Sequence, residues 1–336
     1  METNMKLFLE SMVGARKIYI QPHNMPDPDA IASSFALHQL LVSFGVETQI
    51  IYMNVIEKVN SKKMVEMFQI DMVVKDKGFV TDPEDYVILV DSQVGNSNIT
   101  NIKSEKVAVI DHHIDMGGKK YLFKDIRDHV GACSTIIAGY YKEVGLEPSK
   151  DVATALLYGI MNDTNNLTRS CDQSDLDNFY WLYGLADMLR IKRLRMNEIG
   201  REDLHAYAKA LETFEVYGNI GFVHIEDCND SLLGTISDMV YTIEGTSIVV
   251  SYAKRTDGIK FSVRSGENNI YADALVKYIL KDRGVGGGHK EMAGGFIPVE
   301  EMSFLAHKEL DTYVRFRAIS YVEERLGVEI DRVLKN

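Results

Sequence analysis

Short runs of branched apolar residues alternate along the first half of the chain with longer segments of helical period. Lys17–Gln21, Tyr86–Val90 and Val107–Ile110 are β-rich runs of strand length. Between and after them, 30–44 offers Ile31, Phe35, Leu40, Leu41 and Phe44 for one helix face, with Gly45 as a stop. Residues 151–161 form a second apolar helical segment through Val152, Ala155, Leu156 and Ile160. This alternation predicts an α/β domain over 1–190, a parallel sheet with helices on both faces. Residues 191–215 are helical in composition, with no Pro and only Gly200, and predict a connecting helix. Over 216–336 the pattern predicts a smaller α/β domain. It has strands at 220–225, 247–253 and 259–263, the last two paired across Thr256-Asp257-Gly258, and helices at 272–280 and 300–325, the latter closing the chain. No internal repeat or low-complexity tract is present.

The polar residues that end the apolar runs carry the chemistry. The strand at 107–110 runs directly into Asp111-His112-His113, an acid and two imidazoles that do not belong in a core. Ligands of open α/β sheets sit at the carboxyl ends of strands. The first strand leads into a loop holding His23, Asp27 and Asp29, stiffened by Pro22, Pro26 and Pro28. The strand at 86–90 ends in Asp91, and the helix at 151–161 runs into Asn162-Asp163-Thr164. Each has a plain alternative: Asp29 as a helix cap, Asp163 as a turn residue, Asp111-His112-His113 as a polar loop. Their joint occurrence favours metal ligation, because imidazole and carboxylate without thiol suit Mn²⁺, with Mg²⁺, Fe²⁺ or Co²⁺ as alternatives. Six candidate ligands (His23, Asp27, Asp29, Asp91, His112 and Asp163) exceed one ordinary site and suffice for two ions sharing a carboxylate.

These motifs, in this order over about residues 15–318, resemble the DHH phosphoesterase superfamily in the branch that carries a DHHA1 second domain. The resemblance rests on His23 with Asp27-x-Asp29, on Asp91, on Asp111-His112-His113 and on Asp163, then on Gly286-Gly287-Gly288-His289-Lys290 with Ala293-Gly294-Gly295 behind it. Asn162 and Cys133 depart from the usual pattern. The resemblance implies that His23 and Asp27 hold one ion, that Asp29, His112 and Asp163 hold the other, and that Asp91 bridges. Two such ions can activate a water and clamp a phosphoryl group during in-line displacement. His113 is then expected to face substrate as a catalytic proton donor, with Asp111 orienting an imidazole. In the second domain, Arg264, Ser265, Gly287, Gly288 and His289 are expected to bind substrate. The glycines would form a nest of amides for an anion, and Arg264 a phosphate fork.

Composition narrows the substrate. The 336 residues are 46% hydrophobic and 26% charged, an ordinary globular mix, with net charge −12. That balance disfavours tracking along duplex DNA, which calls for a basic stripe. The main basic stretch, Arg190–Arg195, reads as a solvated helix face. A short anionic ligand in a metal-focused pocket fits better: a short oligonucleotide or nucleotide phosphate. No run of about 18 apolar residues predicts a membrane span, and the N-terminal residues lack a signal-peptide core. The three cysteines, Cys133, Cys171 and Cys228, read as reduced thiols. A cytoplasmic location is therefore expected. A homodimer is compatible with the chain, although no residue pattern demands one. His38, His129, His205, His224 and His307 have no motif around them, and Trp181 is assigned no base.

Within the resemblance, the one-DHH, one-DHHA1 form is similar to the nanoRNase and pAp-phosphatase group. This implies hydrolysis of short oligonucleotides or dinucleotides to 5′-mononucleotides, and of 3′-phosphoadenosine 5′-phosphate (pAp). Alternatives are a cyclic or linear dinucleotide phosphodiesterase, an exopolyphosphatase, or a nucleotide-binding regulator without activity. Inorganic pyrophosphatases are disfavoured because they carry a different second domain.

Overall fold

The computed structural model describes residues 4–330, apart from 57, 97, 197–198, 227 and 306–309; His307 lies outside the described residues. The chain divides into two compact units, Met1–Glu198 and Ile199–Asn336.

The first unit is built on a six-stranded parallel sheet in the order β3-β2-β1-β4-β5-β6. Its strands are β1 (Ile18–Gln21), β2 (Thr48–Tyr52), β3 (Met72–Val74), β4 (Tyr86–Val90), β5 (Val107–Asp111) and β6 (Lys124–Ile126). Side chains alternate across the sheet. Ile18, Ile20, Ile88, Val90, Ala108 and Ile110 enter the larger core, against helices α1 (Asn4–Ser11), α2 (Pro28–Ser43), α3 (Val59–Met67), α4 (Cys133–Glu143), α5 (Lys150–Asp163), α6 (Gln173–Leu185) and α7 (Met188–Leu194). Val87, Leu89 and Val109 point the other way, where Phe79, Ile99, Ile102 and Tyr121 cover them. Those covering residues belong to loops. Among the described residues the expected second helical layer of this unit is thus replaced by non-periodic chain that still buries apolar area. Fully burying one such side chain stabilises by about 1.5–3 kcal/mol.

The second unit contains a mixed six-stranded sheet, β11-β12-β10-β9-β8-β7. Its strands are β7 (Glu215–Tyr217), β8 (Ile220–Glu226), β9 (Ile248–Lys254), β10 (Gly258–Ser265), β11 (Val285–Gly288) and β12 (Met292–Pro298). β8 and β9 are parallel and the other pairs antiparallel. Helices cover both faces: α8 (Leu204–Glu212) and α9 (Asp230–Tyr241) on one, α10 (Ala272–Leu280) and α11 (Leu310–Leu326) on the other. The expected β9–β10 hairpin is present, with Gly258 at φ +152°.

Two expectations change. Residues 191–215 are not one helix: α7 ends at Leu194, α8 begins at Leu204, and the described residues between them are turns and bends. The segment Gly286–Gly288 is strand rather than a nest of amides, with Gly286 opposite Gly295 and Gly287 opposite Gly294. No helix among the described residues is long and apolar enough to cross a membrane.

Candidate metal centre

The carboxyl ends of β1, β4 and β5 and the C-terminus of α5 bring together every acid and imidazole singled out in the first unit. Pro28 starts α2, and Asp27 caps it, its Oδ1 accepting the amides of Asp29 and Ala30 at 3.1 Å each. Asp29 therefore sits inside the first turn and is fully buried. Its two oxygens accept the backbone N–H of Cys133 (2.7 Å) and Ser134 (2.9 Å) at the start of α4. The plain alternative for Asp29, a cap on its own helix, does not hold: Asp27 takes that place, and Asp29 meets the first amides of α4 instead. Asp163 is the last residue of α5 rather than a turn residue. Arg169 donates through Nε (3.1 Å) and Nη2 (2.6 Å) to the Asp163 carbonyl and fixes that helix end.

Three triads of potential ligand atoms lie within 4.8 Å of one another: His23, Asp27 and Asp91; Asp29, His112 and Asp163; Asp91, His112 and His113. Asp91 and His112 each belong to two. His112 Nε2 stands 3.2 Å from both Asp91 Oδ1 and Asp163 Oδ2, and His23 Nε2 is 3.8 Å from Asp91 Oδ2 and 3.9 Å from Asp27 Oδ1. His112 Nδ1 donates to the Val130 carbonyl at 3.2 Å, which leaves Nε2 to act as a ligand. Asp91 adopts φ +56°, a left-handed conformation uncommon for a non-glycine residue and frequent at functional sites.

Asp91 Oδ1 and His112 Nε2 are buried and have no hydrogen-bond partner. Buried polar atoms are normally satisfied, so two orphans facing each other among carboxylates fit a divalent cation between them. The electrostatics agree. Burial, reinforced by Asp91 and Asp163, raises the Asp29 carboxyl well above its ordinary range, and burial raises Asp91. Burial opposes charge on His112, but Asp163 and Asp91 outweigh it and hold the imidazole well above its usual value. Asp27 moves the other way: burial is overcome by His23 and Lys58, and its carboxyl is lowered. All three upward shifts, at Asp29, Asp91 and His112, have the same sense: this acid-rich cluster favours uptake of positive charge.

Asp111 is fully buried and works through other groups. Its Oδ1 accepts His113 Nδ1 at 2.8 Å and the His112 amide at 2.8 Å. Gln93, which the sequence did not single out, donates to Oδ2 at 2.8 Å and grips the Ile114 carbonyl and Met116 amide. Burial opposes charge on His113, yet the Asp111 hydrogen bond raises it to about 9. Gln93 and Arg169 escape sequence reading because their partnerships form only once the loops close. The polar run Asp91-Ser92-Gln93 was the one available hint.

In the second unit, Arg264, Gly287, Gly288 and His289 line a cavity of ≈ 360 Å³. Ser265 does not line it; its hydroxyl donates to the Ile270 carbonyl at 2.5 Å. Arg264 is no open fork: Nε donates to Asp238 (2.6 Å), Nη1 to Ser262 Oγ and the Val263 carbonyl, and Nη2 to the Gly234 carbonyl. Of the remaining histidines, His38 bonds Thr48, His224 pairs with Asp311, and His129 and His205 are exposed.

The sequence pattern of the DHH family, N-terminal domain, matches residues 17–160, and that of the DHHA1 domain matches 218–315. An uncharacterised protein of Methanocaldococcus jannaschii is 30% identical over 87% of this chain and 60% of its own length. The chain thus spans about three-fifths of that relative. A probable manganese-dependent inorganic pyrophosphatase of Streptococcus thermophilus is 28% identical over 64% of this chain and 73% of its own. Among solved structures, an exopolyphosphatase-related protein from Bacteroides fragilis superposes with TM-score 0.77 at 19% identity, covering 97% of this chain and 98% of that one. RecJ with Mn²⁺ from Thermus thermophilus superposes with TM-score 0.54 at 13% identity, covering 96% of this chain and 54% of that one. These two likenesses show the fold.

Proposed function

We propose that this chain, which belongs to the DHH family and carries its DHHA1 domain, is a metal-dependent phosphoesterase acting on short nucleotide substrates. The reading covers short oligonucleotides or dinucleotides cleaved to 5′-mononucleotides, and pAp. The observation that supports it most is the sharing of Asp91 and His112 between ligand triads, an arrangement suited to two neighbouring divalent ions. The manganese named for the pyrophosphatase relative and for the RecJ structure makes Mn²⁺ the first ion to test.

His23, Asp27 and Asp91 would hold one ion, and Asp29, His112 and Asp163 the other. When bound, two such ions supply a nucleophile at neutral pH and neutralise charge on the phosphoryl oxygens. The protein's own groups do the rest. Val130 fixes the tautomer of His112, Arg169 fixes the end of α5 that carries Asp163, and Gln93 holds Asp111. Asp111 in turn takes Nδ1–H of His113, so that the protonated ring presents Nε2–H as a general acid for the leaving oxygen. His113 is one-third exposed, in keeping with a substrate-facing role.

The test is a substrate panel with Mn²⁺: pApA, cyclic dinucleotides, a 2–5-mer RNA ladder, pAp and long polyphosphate. Release of mononucleotide or phosphate from the nucleotide substrates is expected. Turnover of polyphosphate alone would replace this reading with exopolyphosphatase, and no turnover of any substrate would leave a nucleotide-binding regulator.

A further inference from the structure

Asp175 is a fully buried acid in the first turn of α6, and it belongs to none of the ligand triads. A buried carboxylate is costly unless charges or donors surround it. Three donors do: the Asp172 amide at 2.9 Å and the Gly131 amide at 2.8 Å on Oδ2, and the Thr135 hydroxyl at 2.5 Å on Oδ1. The first bond completes a capping box with Asp172 and serves α6 itself. The other two reach back 44 and 40 residues to the turn that leads into α4, and a cap does not account for them.

The Gly131 N–H and the Val130 C=O belong to one peptide, and in a planar trans peptide the two point in opposite directions. The N–H meets Asp175, while the C=O accepts His112 Nδ1 at 3.2 Å. Carboxylate, peptide and imidazole thus form one chain. It is the arrangement in which a carboxylate backs a metal-ligating histidine, with a peptide interposed. Hydrogen bonds in series polarise one another. A negative carboxylate on the N–H enriches the Val130 oxygen, and that oxygen makes His112 Nε2 a stronger donor to a cation. The peptide has no freedom to turn away: a Cβ at Gly131 would meet the Ser170 carbonyl oxygen at 2.5 Å and Thr164 Cγ2 at 2.6 Å.

Asp175 reaches a second ligand of the same triad by a separate route. Its bond to the Thr135 hydroxyl, with Asn178 Nδ2 donating to the Thr135 carbonyl at 3.1 Å, fixes the first turn of α4. The Cys133 and Ser134 amides of that turn hold both oxygens of Asp29. These bonds lead to His112 and Asp29, and to neither His23 nor Asp27. We propose that Asp175 is a positioning residue for the ion held by Asp29, His112 and Asp163, acting on His112 through the Val130–Gly131 peptide. The proposal rests on the two-ion reading and adds an asymmetry to it: one ion depends on α6, and the other does not.

The test is Mn²⁺ binding to the whole chain, read by calorimetry and by electron paramagnetic resonance. Wild type is expected to take up two ions and to show the spectrum of a spin-coupled pair. Asp175→Asn keeps the shape, with its oxygen on the two amides and its nitrogen on the Thr135 hydroxyl, which can accept. An amide serves a capping box as well as a carboxylate does, so a merely structural Asp175 would tolerate the change. The proposal instead expects one ion to bind as in wild type and the other about 10-fold more weakly. At Mn²⁺ concentrations that just fill the wild-type pair, the variant should show the six-line signal of isolated Mn²⁺. Gly131→Ala, which pushes the peptide off its partners, should lose the same ion and serves as a second variant. Leu182→Ala, in the core side of the same helix, should lower Tm yet keep the coupled pair. A wild-type pair in Asp175→Asn or in folded Gly131→Ala, or the same loss in Leu182→Ala, would overturn the proposal alone. Wild type without a coupled pair would overturn the two-ion reading and the proposal with it.

Discussion

Replacing Asp91 with Asn should stabilise the metal-free protein while destroying its response to metal. Asp91 is 2% exposed, Oδ1 has no hydrogen-bond partner, and the cluster around it is rich in acids. Asn preserves the shape and tolerates φ +56° as Asp does. Relief of an unsatisfied buried carboxylate is worth about 1–3 kcal/mol. In a unit of this size each kcal/mol moves Tm by about 2–4 °C, so metal-free Asp91→Asn should melt about 2–12 °C higher than wild type. Wild type should instead gain about 2.7 kcal/mol from Mn²⁺ at 100 times its Kd. The variant, without the carboxylate shared by two triads, should gain less than half of that and lose turnover. The assay is thermal melting at pH 8 in EDTA and across an Mn²⁺ titration, with activity measured alongside. A metal-free variant no more stable than wild type, together with a full Mn²⁺ shift, would refute the reasoning.

Other outcomes follow from individual contacts. His113→Asn should lower kcat by about 10²–10⁴ while leaving Mn²⁺ affinity near wild type, as read by calorimetry; a lost metal site would reassign His113 as a ligand. Arg169→Ala should weaken Mn²⁺ binding by about 10–100-fold, since it removes the clamp on the Asp163 carbonyl. Asp85 is 1% exposed and takes Arg16 Nε and Nη2 at 3.0 Å each; the Arg16 hydrogen bond lowers its carboxyl pKa. Its stabilisation is therefore present above the unfolded value of about 3.9 and lost as pH falls through the lower folded value. Asp85→Asn should cost about 1 kcal/mol at pH 7, the exposed arginine limiting the effect, and progressively less as pH falls through the acid range. A difference that does not shrink on acidification would argue against the ion pair.

The sequence displayed the parallel sheet because β1, β4 and β5 are buried on both faces and read as unbroken apolar runs. It displayed the acids and imidazoles because each interrupts such a run at its end. The second face of that sheet was not legible. Phe79, Ile99, Ile102 and Tyr121 cover it from loops, and loops carry no period. The roles of Asp27 and Asp29 depended on whether α2 starts at Pro28 or Ala30, a boundary that periodicity does not resolve. Gly286–Gly288 read as a nest of amides because glycine has low strand propensity; only pairing with β12 reveals a strand. Arg264 read as an open fork because Asp238 and Gly234, 26 and 30 residues away, are brought to it by α9.

The central claim is that two divalent ions occupy the acid-and-imidazole cluster of the first unit. Anomalous diffraction from crystals of the protein grown with Mn²⁺ tests it most directly. Two manganese peaks are expected, one within bonding distance of His23, Asp27 and Asp91 and the other of Asp29, His112 and Asp163. No peak at these residues, or a single ion with the second triad left unligated at saturating Mn²⁺, would contradict the account.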